Sequence, residues 1–145
     1  MDTKGIVNLK LENLYENDIY QIQLDKNIAL IYLTFLTHPN PDQFRNAYRV
    51  AIDTALRKEV KYWLTDAQQI KSMQPENQSW LKENMAPLLK QLRKFAIVMA
   101  PECFVMTNPN QVYSKVNKET ESPTVGIIKV HFDKEAAYNW LFSEA

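Results

Sequence analysis

The stretch "KYWLTDAQQIKSMQPENQSW", Lys61–Trp80, contains the junction on which a reading of this chain turns. An apolar run ends on Asp66, a loop without glycine follows, and Pro75 sits where a helix would open. Proline is favoured at the first helical position because its missing N–H would have no intrahelical partner there. A strand running through a loop into a helix is the repeating unit of α/β proteins, and the same punctuation occurs elsewhere. "NPDQF" at 40–44 and "NPNQV" at 108–112 also place a proline after a capping asparagine. A glutamine follows each asparagine three residues on, Gln43 and Gln111, in the pattern of a capping box. Asp133 caps a fourth helix, "KEAAYNWLF".

Four apolar runs precede these four helix starts, at 28–36, 61–66, 94–100 and 125–132. Upstream, "IVNLKLE" (6–12) and "DIYQIQL" (18–24) alternate with period two, which predicts half-buried strands. Asp25, Lys26 and Asn27 supply turn chemistry before "NIALIYLTFL", so a hairpin is expected there. The helices carry one-sided apolar stripes: Phe44, Tyr48, Ala51 and Ala55 in the first, and Trp80, Leu81, Met85, Leu88 and Leu92 in the second. Pro87 is expected to kink or break the second helix after about three turns. The expectation is a single-domain α/β protein with a mostly parallel sheet, an N-terminal antiparallel hairpin and about four helices. Residues 1–13 form an N-terminal extension that adds a strand.

The bulk chemistry narrows the function. A chain of 145 residues is one domain's worth, with enough core to fold without metal or disulfide. Seventeen basic and seventeen acidic side chains cancel, leaving no basic stripe for a nucleic-acid backbone. Only Gly5 and Gly126 are present, too few for a P-loop or a dinucleotide fingerprint. The single Cys103 fits a reducing compartment, no apolar run reaches the ~20 residues of a membrane span, and no signal peptide is visible. A cytoplasmic protein without a cofactor is expected. Cys103, His38 and His131 are isolated in sequence and lack the short-spaced pairs of a zinc site.

Several motifs together resemble the STAS/SpoIIAA-like family, in its small stand-alone bacterial members. They are the strand with Trp63 and terminal Asp66, the helix start Pro75-Glu76-Asn77-Gln78-x-Trp80, the mid-helix Pro87, and the closing Phe132-Asp133 with Ala137 and Trp140-Leu141. The likeness covers about residues 14–142. It implies a compact domain that acts as a non-enzymatic binding or regulatory module, taking a protein partner or a small apolar ligand. In the antagonists of anti-sigma factors a serine at a helix start accepts phosphate. Here that place falls near Gln74–Asn77, where Pro75 and Glu76 cannot accept it, so no serine switch is expected; Ser72 and Ser79 are the nearest hydroxyls.

Candidate site residues follow from strand-end position and loop composition. Asp66, Met73, Glu76, Glu102, Phe104 and Met106 border the expected C-terminal ends of the parallel strands, where open α/β sheets bind ligands. Methionine in the loops "IKSMQ" and "PECFVM" suits adaptable apolar contact. The alternative is an enzyme using Asp66 with Glu76 or Glu102 as an acid–base pair. A third reading is a homodimer paired through the extra N-terminal strand.

Overall fold

A computed structural model describes residues 9–72, 74–101 and 128–143. Within them six strands form one mixed sheet in sequential order: β1 (Glu12–Glu16), β2 (Tyr20–Asp25), β3 (Leu30–Phe35), β4 (Tyr62–Ala67), β5 (Lys94–Met99) and β6 (Ile128–His131). The β1–β2 and β2–β3 pairs are antiparallel, whereas β3 through β6 run parallel. Three helices are described: α1 (Pro41–Lys58) between β3 and β4, α2 (Pro75–Leu89) between β4 and β5, and α3 (Lys134–Leu141) after β6. The helix expected from Asn108 lies outside the described residues.

Local chemistry accounts for these boundaries. Asn40 Oδ1 accepts the Gln43 N–H at 2.8 Å and Gln43 Oε1 accepts the Asn40 N–H at 2.9 Å, so the capping box at α1 is complete. Asp133 Oδ1 caps α3 by accepting the Ala136 N–H. The α2 start has Pro75 in the first turn, but Gln74 provides no side-chain cap. Asp25 is buried at the β2–β3 turn because it accepts three backbone N–H groups, from Lys10, Asn27 and Ile28. Two expectations need correction. Of the strand expected at 6–12, residues 6–8 lie outside the described residues, 9–11 are in no strand, and only Glu12 belongs to β1. Pro87 does not break α2, which continues to Leu89. The missing N–H deprives only the Glu83 carbonyl of its intrahelical donor, and that residue is exposed to solvent.

The two faces of the sheet are covered unequally. Ile22, Leu33, Trp63 and Phe95 point to the face packed by α1 and α2, through Tyr48, Ala51, Leu81 and Leu88. Leu30, Tyr32, Leu64, Ala96 and Val98 point the other way, onto Ala137 and Leu141 of α3. β3 is therefore buried on both sides, as its unbroken apolar sequence requires. Trp63 is the fully buried tryptophan, while Trp80 and Trp140 are partly buried at the borders of the two cores.

Candidate functional site

The loops leaving β3 and β4 rise into the first turns of α1 and α2, and between them is a cleft of about 380 Å³. His38 and Asn40 line it from the first loop, Ser72 and Gln74 from the second, and Asn77 from α2. The buried Phe44 and Ile70 give it an apolar base. A second hollow of about 360 Å³ adjoins it, sharing Pro41, Gln74 and Asn77 and adding Arg45 and Glu76. The position, beyond the C-terminal ends of parallel strands, is where open α/β sheets place ligands.

Three features give this cleft directional chemistry. Asn77 is 3% exposed, its Nδ2 reaches the Pro41 carbonyl at 3.4 Å, and its Oδ1 has no hydrogen-bond partner. A buried acceptor without a donor costs about 1–3 kcal/mol. His38 Nδ1 accepts the Lys71 N–H at 3.0 Å, so the ring proton of the neutral imidazole sits on Nε2 as a donor. The first-turn N–H groups of α2 have no intrahelical acceptors, and Gln74 does not cap them. Arg45 is committed to Asp42 at 2.8 Å. The cleft therefore combines hydrogen-bond donors at its rim with an apolar base, and the Asn77 amide is packed into the wall between α1 and α2.

A second polar group lies on the opposite face, beneath α3. Asp66 is 7% exposed; its Oδ1 accepts the Gln68 N–H at 3.1 Å and its Oδ2 meets Lys134 Nζ at 3.4 Å. Tyr32 hydrogen-bonds Tyr138, and burial pushes both phenols above their usual range, with the Asp66 charge adding to the effect. His131 is also buried, with its ring centroid 5.6 Å from that of Trp140 and Nε2 without a partner. Burial, then the Lys129 charge, holds its imidazole below the ordinary value, and Asp133 opposes them. Although β6 is the edge of the described sheet, α3 covers His131 there.

Of the candidate residues, Glu76 borders the cleft, whereas Asp66 serves the other face of the sheet. Met73, Glu102, Phe104 and Met106 lie outside the described residues, as does Cys103. Asn77 and His38 were missed as site residues. Asn77 looked like part of a helix start, and its burial depends on α1 lying alongside α2. His38 looked isolated because its partner, Lys71, is 33 residues away. Among the described residues no three His, Cys, Asp or Glu side chains are placed to hold a metal ion, and no helix is long and apolar enough to cross a membrane. No protein-family model, curated protein or solved structure matches the chain.

Proposed function

We propose that this chain is a non-enzymatic binding module of the STAS/SpoIIAA-like kind, with its ligand held in the cleft between the first turns of α1 and α2. The observation that carries the reading is a cleft of about 380 Å³ beyond the C-terminal ends of β3 and β4, with polar walls over the buried Phe44 and Ile70. The order of an antiparallel hairpin followed by parallel strands is compatible with the family likeness. The polar rim favours a ligand with hydrogen-bonding groups over a purely apolar one. Against the Asp66–Glu76 form of the enzymatic alternative stands their separation onto opposite faces of the sheet; Glu102, the other partner considered for Asp66, lies outside the described residues. The test is an amide NMR screen of the full chain with a fragment collection. Hits should move resonances of His38, Asn40, Ser72 and Asn77 together; hits that cluster elsewhere would remove the cleft from consideration.

A second reading, docking of a protein partner or a second copy, has its own observation. Among the described residues the edge strand β1 is exposed along its whole length, with Leu14 and Tyr15 at 37% and 39% exposure. An open edge presents unpaired backbone groups to another strand. Solution mass measured by light scattering separates the versions: a dimer supports pairing of two copies, and a monomer removes it.

A further inference from the structure

We infer that the end of the molecule opposite the cleft is a docking surface for an acidic polypeptide segment that carries an apolar residue among its carboxylates. The balanced charge of the whole chain hides a segregation that the fold produces. The connections leaving α1 and α2 lie side by side at the N-terminal ends of β4 and β5. Gln91 Nε2 fastens them, donating to the Ala55 carbonyl at 3.0 Å and to the Val60 carbonyl at 2.9 Å. The Arg93 N–H adds a bond to the Lys61 carbonyl at 2.7 Å. Arg57, Lys58 and Lys61 beside the first connection thereby meet Lys90 and Arg93 of the second. All five are exposed, and Glu59 is the one carboxylate within 57–61 and 90–93.

Part of this charge has a local explanation. Arg57 and Lys58 close α1, where cations offset the helix dipole, and Arg57 pairs with Asp53 at 3.1 Å. Lys61 and Arg93 lie past the helix ends. Among the described residues no carboxylate is within ion-pair reach of Lys58, Lys61, Lys90 or Arg93. Like charges gathered without counter-charges repel one another and attract a polyanion. A nucleic-acid duplex asks for a basic stripe and a single strand for exposed aromatic rings. This patch is two short connections, and the exposed apolar side chain bordering it is Leu56, at 38%. A lipid surface needs a second anchor besides basic charge, which one leucine does not supply. An acidic segment with an apolar residue answers both the cations and Leu56, and charge complementarity of this kind sets partner choice.

The surface lies away from the cleft, so the two readings stand or fall separately. The full chain labelled with 15N is titrated at low salt with the blocked hexapeptide EELEEL and with its neutral counterpart QQLQQL. EELEEL should shift the backbone amides of Lys58, Lys61 and Arg93, and about 0.5 M salt should weaken it at least about tenfold by screening. QQLQQL should leave them in place. Lys61→Glu combined with Arg93→Glu should abolish the response, and Leu56→Ser should weaken it about threefold. If the charge reversal unfolds the chain, Lys58→Gln and Lys90→Gln replace it, since neither side chain makes a hydrogen bond or ion pair among the described residues. Each should weaken EELEEL about twofold to threefold. Shifts that fall elsewhere, or an equal response to QQLQQL, overturn the surface. Tighter binding of a DNA duplex or of phosphatidylserine vesicles at equal charge concentration overturns the polypeptide. Salt-sensitive dimerisation that the substitutions remove overturns it in favour of a second copy.

Discussion

At the scale of single residues, the core on the α1/α2 face is organised by one hydroxyl. Thr65 is fully buried, and its Oγ1 accepts both the Trp63 indole N–H and the Tyr48 hydroxyl. The rings it ties together form a stack: Tyr48 on Trp63 at 6.0 Å and Trp63 on Phe95 at 5.2 Å, each pair nearly parallel. Thr65→Val keeps the shape and removes the acceptor of a buried N–H. It should cost about 1–3 kcal/mol, read as a lower chemical-denaturation midpoint. His131 gives a second test, through pH. Its imidazole is held below the ordinary value of about 6.5, so the unfolded chain binds the proton more readily than the folded one. The stability from keeping it neutral is complete above pH about 6.5 and is lost as pH falls toward the depressed folded value. His131→Phe should flatten that part of the stability profile; an unchanged slope would show that other groups set it. Asp66 illustrates how far sequence carries at this scale. A strand-end aspartate accepting an N–H from the following loop is legible from local chemistry, and Gln68 supplies that N–H. Its ion pair with Lys134 is not legible, because it depends on α3 folding back over the sheet.

At the scale of elements, two of the described residues without glycine's freedom occupy the left-handed region, Ala29 at φ 55° and Glu59 at φ 54°. Glu59 ends α1, where its N–H reaches the Ala55 and Leu56 carbonyls. A left-handed residue with a Cβ is strained at such a cap, and glycine is the common solution. Glu59→Gly should therefore raise stability by about 0.5–1 kcal/mol, seen as a higher thermal midpoint, since the relief exceeds the added unfolded-state entropy. A fall in the midpoint would mean the cap is not strained. The same local rules explain which elements could be read in advance. Asn40 with Pro41, Pro75, and Asp133 mark the starts of α1, α2 and α3 because capping is a short-range matter. The apolar runs of β3, β4 and β5 announce buried strands for a similar reason: burial on two faces leaves no room for alternation. β1 could not be read this way. All of "ENLYE" is exposed, so no hydrophobic period marks it, and it is a strand only because β2 offers its edge. The cleft was legible only as a location, at the strand ends. Its chemistry arises where Asn77 and the Pro41 carbonyl meet across 36 residues of sequence.

At the scale of the whole molecule, the sheet is thick on one side and thin on the other. Among the described residues α1 and α2 cover one face, from β2 across to β5, while α3 covers the other together with Leu9, Leu11 and Ile28. Where α3 does not reach, the partly buried positions of β2, Gln21 and Gln23, are polar, and Gln21 Nε2 donates to Asn13 Oδ1 at 2.9 Å across to β1. α3 is eight residues long, shorter than a helix that holds itself together in water. It depends on Ala137 and Leu141 buried against the sheet and on Lys94, whose ammonium reaches the Trp140 carbonyl and the Ser143 hydroxyl. A cation at a helix C-terminus offsets the partial negative charge of its open carbonyls. Burial and the nearby Lys129 hold the Lys94 amine below its ordinary value, so this clasp works against some desolvation. The body of α1, α2 and β3–β5 has no such dependence on a few contacts. Native-state hydrogen exchange should therefore resolve two levels, with β1 and α3 opening at lower free energy than the amides of α1 and β3–β5. Lys94→Met should lower the protection of α3 by about 1 kcal/mol and leave that of α1 unchanged, because the clasp holds the helix end and not the core. Equal protection in α3 and α1, moved together by the substitution, would show instead that both faces of the sheet open as one cooperative unit.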